Sequence, residues 1–196
     1  MDCFFHIPDD PPYRDTCNTL ELQHFSYIDS MLVFSVNLEE QPLQYNTADY
    51  DPNVSQMIVT DPSLIHTWVD LYCKSFEIMS WKQPVHDLIM SRYLDFEFEL
   101  IISKVKSNSV FVPAACASLY YCNKKAVGLY CLGTLPEFRR KGLAMQIVKY
   151  SINRARTKRM KLFFVQTFLN DGFANIYNRA GLCVEYQKRI YANARI

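Results

Sequence analysis

The sequence predicts an α/β fold, a mixed central β-sheet flanked by helices. Three observations lead there. Apolar residues recur at helical spacing in four stretches, with short β-branched and aromatic runs between them, in the order α-α-β-β-β-α-β-α-β. The longest helical stretch, from about residue 142 to 157, is bounded on both sides by apolar runs of strand length, the pattern of a right-handed β-α-β crossover. Apolar residues make up 49% of the 196 and charged residues 21%, so a proper core is available and global disorder is excluded.

Residues 1–56 read as an acidic arm broken by Pro8, Pro11, Pro12, Pro42 and Pro52, with one or two strands over Tyr27–Leu38. This segment is either an arm or a set of extra strands packed on the core; residues 57–196 form the main domain. Residues 56–60 are a short strand. Asp61-Pro62 then marks a helix start, with Asp as N-cap and Pro at the first helical position. Leu64, Ile65, Trp68, Leu71, Tyr72 and Phe76 follow on one stripe. A second helix begins near Pro84 with Val85, Leu88, Ile89 and Tyr93. Strands are predicted over 98–103, 110–121 and 126–132, the last two joined by a turn at Asn123-Lys124-Lys125. The helix over 142–157 turns Leu143, Ala144, Ile147, Val148, Ile152 and Ala155 inward and Lys149, Asn153 and Arg154 outward. Leu162–Val165 reads as a strand buried on both faces. A short helix over 173–179 ends near Gly181, and a strand near 184–191 closes the chain.

The formal charge of +1 conceals a split. Residues 1–60 carry ten acids and one base, a balance of −9; residues 61–196 carry twenty bases and ten acids, a balance of +10. Nine of those bases fall between Arg139 and Lys161, and no acid occurs from Phe138 to Asn170. A field of one sign there attracts an anion. All five glycines lie at or after position 128. Seven cysteines, with no C-x-x-C, argue against a disulfide framework or a zinc knuckle and fit buried thiols in a reducing cytoplasm. The four histidines lack ligand spacing, so no metal is expected. No run approaches the roughly 18 apolar residues of a membrane span. The N-terminus has no basic segment of the kind that opens a signal peptide, so the expected location is cytoplasmic.

The chemistry concentrates at 126–144. A strand runs into a basic loop, and a helix opens at its one glycine, Gly142. The first turn of a helix leaves its N–H groups unpaired and carries the positive end of the dipole, so phosphate docks there readily. The Walker pattern fails for lack of Gly-Lys-Ser/Thr. The dinucleotide pattern fails for lack of three glycines and of an acid before Asp171.

What remains is R-x-x-G-x-A, present as Arg139, Gly142 and Ala144. It resembles the acyl-CoA signature of the GNAT N-acetyltransferase superfamily. Thr134-Leu-Pro-Glu-Phe138 resembles that family's lead-in. Downstream, Asn170, Tyr177 seven residues later, and Gly181-Leu182 resemble its second element, with Leu182 in place of Phe. The resemblance covers residues 57–196 and implies a GNAT-like acyl-CoA N-acyltransferase fold with acetyl-CoA as co-substrate. It implies direct transfer of acetyl to a primary amine, the acceptor a small molecule. Backbone groups of Leu132, Gly133 and Thr134 would pair with the pantetheine arm and polarise the thioester carbonyl. Arg139, Arg140, Lys141, Gly142, Leu143 and Ala144 would hold the diphosphate, with Asn170 a further contact. Tyr177 would protonate the departing thiolate.

Two departures bear on mechanism. The glutamate that histone-type members use as base falls at about Gly128, which has no side chain, so a protein-lysine substrate is disfavoured; Glu97, Glu99 or a water chain remain as proton acceptors. Arg140 stands where many relatives have Gly. Two other readings stay open: an acyl-CoA-binding module without catalysis, and a nucleic-acid-binding module on the 139–161 stripe. The second is disfavoured because Tyr150 is the one aromatic residue in Lys149–Lys161. A membrane partner is not expected, and the oligomeric expectation is a monomer or homodimer.

Overall fold

The structure, a computed structural model, describes residues 4–40, 45–93, 97–123 and 125–193. Pro42 and Lys124 of the sequence reading lie outside them, as does one of the seven cysteines, Cys3. The elements are β1 (Phe4–Pro8), α1 (Arg14–Leu22), β2 (Phe25–Asn37), β3 (Val54–Ile58), α2 (Ile65–Ser75), α3 (Lys82–Arg92), β4 (Phe98–Ser107), β5 (Val110–Cys122), β6 (Ala126–Thr134), α4 (Leu143–Thr157), β7 (Leu162–Phe168), α5 (Ala174–Arg179) and β8 (Cys183–Asn193). The fold class is the expected one, α/β with strands flanked by helices. The chain divides into two compact units, Asn37–Phe163 and Met1–Val36 with Phe164–Ile196.

In the unit Asn37–Phe163 the strands lie in the order β6-β5-β4-β3, every pairing among them antiparallel. Asn108 and Ser109 connect β4 to β5 with φ of 48° and 67°, so both turn residues are left-handed, as a two-residue primed hairpin turn requires. Helix α2 starts as the Asp-Pro signal predicts. The Ser63 N–H donates to Asp61 Oδ1 at 2.9 Å, and a 3-10 turn over Pro62–Leu64 leads into the helix. Its buried face, Ile65, Trp68, Val69, Leu71 and Cys73, packs with Leu100, Ile102 and Cys116. The intervening strand residues Ile101, Ala115 and Ala117 are equally inaccessible. Helix α4, also in contact with these strands, buries Leu143, Ile147, Val148, Ile152 and Ala155. In α3, Ile89 is buried but Leu88 is 62% exposed, so the predicted stripe is narrower than it reads.

In the other unit the order is β1-β8-β2-β7, with β8 antiparallel to both β1 and β2. The N-terminal segment is more regular than its prolines suggest, because they fall at element ends. Pro8 closes β1, and Pro11-Pro12 open the 3-10 turn that enters α1. Cys17 and Leu20 of α1 pack on Tyr191, with Ile7 and Phe25 alongside. Strand β7 alternates in burial instead of being covered throughout: Phe163, Val165 and Thr167 are buried, while Leu162 and Phe168 are exposed. Helix α5 ends at Gly181 (φ 74°), where the Leu182 N–H donates to the Tyr177 carbonyl at 3.0 Å.

The thiols depart in part from the buried reading. Cys17, Cys73 and Cys116 are buried, whereas Cys122 and Cys183 are exposed. Among the described residues no helix is long and apolar enough to cross a membrane.

Candidate active site

Strand β6 does not run evenly to its end. Cys116 of β5 pairs with Gly133 and Ser118 with Tyr130, so Ala117 alone opposes both Cys131 and Leu132. This is a β-bulge, and it takes backbone groups out of the ladder. Cys131 bears the distortion with φ of 54°, a left-handed conformation in a residue that has a Cβ. The Ala117 carbonyl opposite accepts a hydrogen bond from Trp68 Nε1 at 2.8 Å. No pattern of residue types marks Cys131 for this role, so the bulge is invisible in the sequence.

Gly133 follows the bulge for a reason of space. A Cβ there would stand 2.7 Å from Ser75 Cβ and 3.0 Å from Phe76 Cε2, so the end of α2 lies directly on the strand. Beyond Thr134 a 3-10 turn at Pro136–Phe138 leads to Arg139, Arg140 and Lys141. The Arg139 guanidinium, expected at a phosphate, donates instead to two carbonyls: Nη2 to Ser75 at 2.9 Å and Nε to Thr134 at 3.2 Å. Arg140 holds φ of 61°. Lys141 Nζ lies 5.1 Å from the centre of the Phe138 ring. Gly142, the N-cap of α4, has φ of 78° and ψ of 2°, with no side chain capping the helix. Nothing stands within 4 Å of the position a Cβ would take there. The arrangement is an open concavity of left-handed loop residues before uncapped helix amides, the geometry that binds anions. Leu143 is buried and Ala144 half-buried, so what both can offer a ligand there is backbone.

Leu132 through Ala144 thus form one continuous element of the unit Asn37–Phe163. Asn170 and Tyr177 belong to the other unit. Asn170 sits in a 3-10 turn, and its Nδ2 donates to Asp29 Oδ1 at 3.0 Å. Tyr177 lies on α5 with its ring 5.4 Å from that of Phe34, and it is 5% exposed. Burial, helped by the charge of Asp171, pushes its phenol up to about 12, so the hydroxyl keeps its proton at any physiological pH.

The sequence left Glu99 as a base, and the structure removes it. Arg154 grips its carboxylate with Nε and Nη2 at 3.0 and 2.6 Å, Lys158 Nζ reaches it at 2.7 Å, and the Tyr121 hydroxyl donates at 2.7 Å. Burial alone would push this carboxyl up. The hydrogen bonds from Arg154, Lys158 and Tyr121 outweigh burial and hold it at about 2. A carboxylate so held is a poor proton acceptor. Its partner Arg154 also lies eleven residues into α4, about 16 Å along the axis from the helix start.

The basic stripe is likewise taken up by the protein's own groups. Lys149 donates to the Asp49 carbonyl at 2.9 Å, Lys161 pairs with Glu39 at 2.9 Å, and Arg156 reaches the Leu38 carbonyl at 3.2 Å. Asn153 exchanges hydrogen bonds with the Tyr45 backbone at 3.2 and 2.7 Å. The face that reads as a nucleic-acid surface therefore holds Leu38, Glu39, Tyr45 and Asp49 of the acidic segment.

Residues 65–182 match the acetyltransferase (GNAT) family. No curated protein matches the sequence. Among solved structures, a GCN5-related N-acetyltransferase from Sphaerobacter thermophilus aligns over 98% of this chain and 59% of its own, with TM-score 0.76 and 13% identity. A functionally unknown conserved protein from Staphylococcus epidermidis aligns over 100% and 73%, with TM-score 0.73 and 15% identity. A tandem GNAT protein from the clavulanic acid biosynthesis pathway aligns over 97% and 63%, with TM-score 0.71 and 10% identity. The chain thus spans less than two thirds of two of these three, and at such identities the likeness is one of fold. The family match covers more than half of the chain and contains the bulged strand, the basic loop before α4 and α5 together: the chain belongs to the GNAT acetyltransferase family.

Proposed function

We propose that the chain transfers an acetyl group from acetyl-CoA to a primary amine of a small molecule by direct attack. The observation that supports this most is the left-handed Gly142, with open space before it, at the head of a 15-residue helix whose first amides no side chain caps. The amides of 142–144 would hold the diphosphate. Arg140 and Lys141 would contribute positive field, and Arg139 would act by shaping the loop. The backbone of Leu132, Gly133 and Thr134, beside the bulge, would pair with the pantetheine arm and polarise the thioester carbonyl. Asn170 is retained as a further cofactor contact on the family spacing alone.

Tyr177 is the proposed donor to the departing thiolate. A phenol near 12 against a thiol near 8.5 makes complete proton transfer uphill by roughly 3.5 units, about 5 kcal/mol. The role that fits is therefore a hydrogen bond that strengthens as charge develops on sulfur. With Gly128 bare and Glu99 locked, Glu97 or water is left to take the amine's proton; if it is water, kcat/KM should climb with pH toward the amine's own value near 10.

The test is thiol release from acetyl-CoA over a panel of primary amines, with acetyl-CoA binding measured by calorimetry. Tyr177→Phe should lower turnover on the order of 10²–10⁴-fold while leaving acetyl-CoA affinity unchanged. The loss of both Gly128 and Glu99 as bases favours one rival, an acyl-CoA-binding module. Tight acetyl-CoA binding with no release for any amine would establish that rival and end the transferase reading.

A further inference from the structure

Helix α4 borders a cavity that the candidate active site does not use. It encloses about 420 Å³ and is lined by Tyr50, Gln56, Tyr150, Asn153, Arg154 and Thr157, all in the unit Asn37–Phe163. Small-molecule sites span roughly 300–1,000 Å³. Tyr150 and Thr157 stand seven and fourteen residues after Leu143, about 10 and 21 Å along the helix axis, so the cavity is separate from the concavity at Gly142.

Its polar groups are set for a ligand that accepts hydrogen bonds. Gln56 on β3 lies directly across from Ser103 on β4, so their side chains share a face of the sheet. Glu99, four residues before Ser103, is on that face too, and its pairing with Arg154 makes this the face that α4 covers. Buried there, Gln56 Nε2 and Ser103 Oγ have no hydrogen-bond partner. A buried donor without an acceptor costs roughly 1–3 kcal/mol, a penalty that a ligand oxygen removes. Asn153 Nδ2 donates to the Tyr50 hydroxyl at 3.0 Å, which leaves the phenol's own proton for another acceptor. Burial pushes this phenol up to about 12 and raises that of Tyr150, so both keep their protons at neutral pH. Arg154 gives Nε and Nη2 to Glu99, with Nη1 outside that pair. Around the cavity three cations, Lys149, Arg154 and Lys158, stand against two carboxylates, Asp49 and Glu99, a balance that favours an anion.

We propose that this cavity is a second ligand site and that it takes a small carboxylate carried on a flat ring. The carboxylate accepts from Gln56 Nε2 and Arg154, and the ring lies against Tyr50 and Tyr150, whose faces favour a planar partner. Binding there is independent of acetyl transfer.

The experiment is calorimetry on the full chain at pH 7 with benzoate, benzamide and benzylamine, in the wild type, Gln56→Leu and Tyr150→Phe, with melting temperatures read alongside. Benzoate should bind with a Kd below about 1 mM, and the neutral amide and the cationic amine about tenfold more weakly or worse. Each variant should weaken benzoate by about fivefold or more, and unliganded Gln56→Leu should melt no lower than the wild type because it removes an orphaned donor. Pyrophosphate, an occupant for the concavity at Gly142, should leave benzoate affinity within about twofold. Absence of benzoate binding overturns the proposal, and so does benzamide that binds as tightly as benzoate. Binding that neither variant changes, or that pyrophosphate abolishes, places the anion elsewhere and overturns it as well. A Gln56→Leu chain that melts well below the wild type shows that the amide already has a partner, which removes the donor the carboxylate needs.

Discussion

Replacing Gly133 by Ala tests how tightly α2 is seated on β6. Gly133 lies outside the left-handed region, so alanine brings no backbone strain, and the whole penalty comes from one methyl. That carbon would stand 2.7 Å from Ser75 Cβ, 3.0 Å from Phe76 Cε2 and 3.1 Å from Ser75 Oγ. Carbon pairs are most favourable at about 3.5–4.0 Å, so the last turn of α2 must retreat by about 1 Å. It is not free to do so. The Phe76 and Ile78 N–H groups donate to Tyr72 and Cys73 at 3.1 and 2.9 Å, and Arg139 holds the Ser75 carbonyl at 2.9 Å. Overpacking of this kind costs about 1–3 kcal/mol. The gain from a stiffer unfolded chain returns about 0.4–1 kcal/mol, leaving a net loss near 1–2 kcal/mol. Urea unfolding at constant m-value reads it as a shift in midpoint. The companion variant Ser75→Gly removes both Ser75 atoms from the clash and loses about 0.5 kcal/mol through helix propensity. The double variant should therefore be more stable than the sum of the two losses by about 1 kcal/mol. Additive losses, or a Gly133→Ala chain as stable as the wild type, would show that the close approach is not maintained in solution.

The remaining predictions concern charge and loop geometry. The carboxyl of Glu99 is held at about 2 against an ordinary 4.5, so its contribution is complete above pH 4.5 and is lost as pH falls toward 2. Allowing for solvent around the cluster, Glu99→Gln should cost about 1–2 kcal/mol at pH 7, a gap that closes between pH 4.5 and 2; a pH-independent gap in acid and urea titrations would refute this. Arg139→Gln should lower stability by about 1–2 kcal/mol and weaken acetyl-CoA affinity no more than Arg139→Lys does, although lysine keeps the charge; a lysine variant that binds like the wild type would return the charge to the phosphate. Gly142→Ala meets open space, so its stability cost is the backbone's alone, about 1 kcal/mol at φ of 78°. Its effect on acetyl-CoA affinity should be larger than that, and equal effects would mean the concavity holds nothing.

What could be read from the sequence was whatever a single residue type enforces. Asp61-Pro62 starts a helix because capping and ring geometry are local, and Gly142 stands at the head of α4 because a left-handed N-cap favours glycine. The strands β4 to β6 were visible as runs of β-branched, aromatic and small apolar residues. What escaped depends on partners distant in the chain. Cys131 carries the bulge although its residue type gives no sign of it; the distortion belongs to the pairing with Ala117 and to Trp68, 63 residues earlier. The prolines of the N-terminal segment look like breakers until the ends of β1 and α1 are known. Glu99 looks like a free carboxylate until α4 is laid beside β4, bringing two cations onto it.

The same distinction changes how the basic loop is understood. A run of Arg-Arg-Lys before a helix invites the view that its charges grip phosphate directly. In the folded chain Arg139 donates to two backbone carbonyls, and Lys141 lies over Phe138. These contacts fix the path of the loop between the end of β6 and the start of α4, with left-handed turns at Arg140 and Gly142. The groups that no side chain caps are the amides of the first helical turn, which every residue type but proline supplies. If the loop binds an anion as proposed, it does so through the shape of its backbone, and Arg139 helps to build that shape. A substitution that keeps the charge but loses the fork of Arg139, such as lysine, should then weaken the loop although the local field is unchanged.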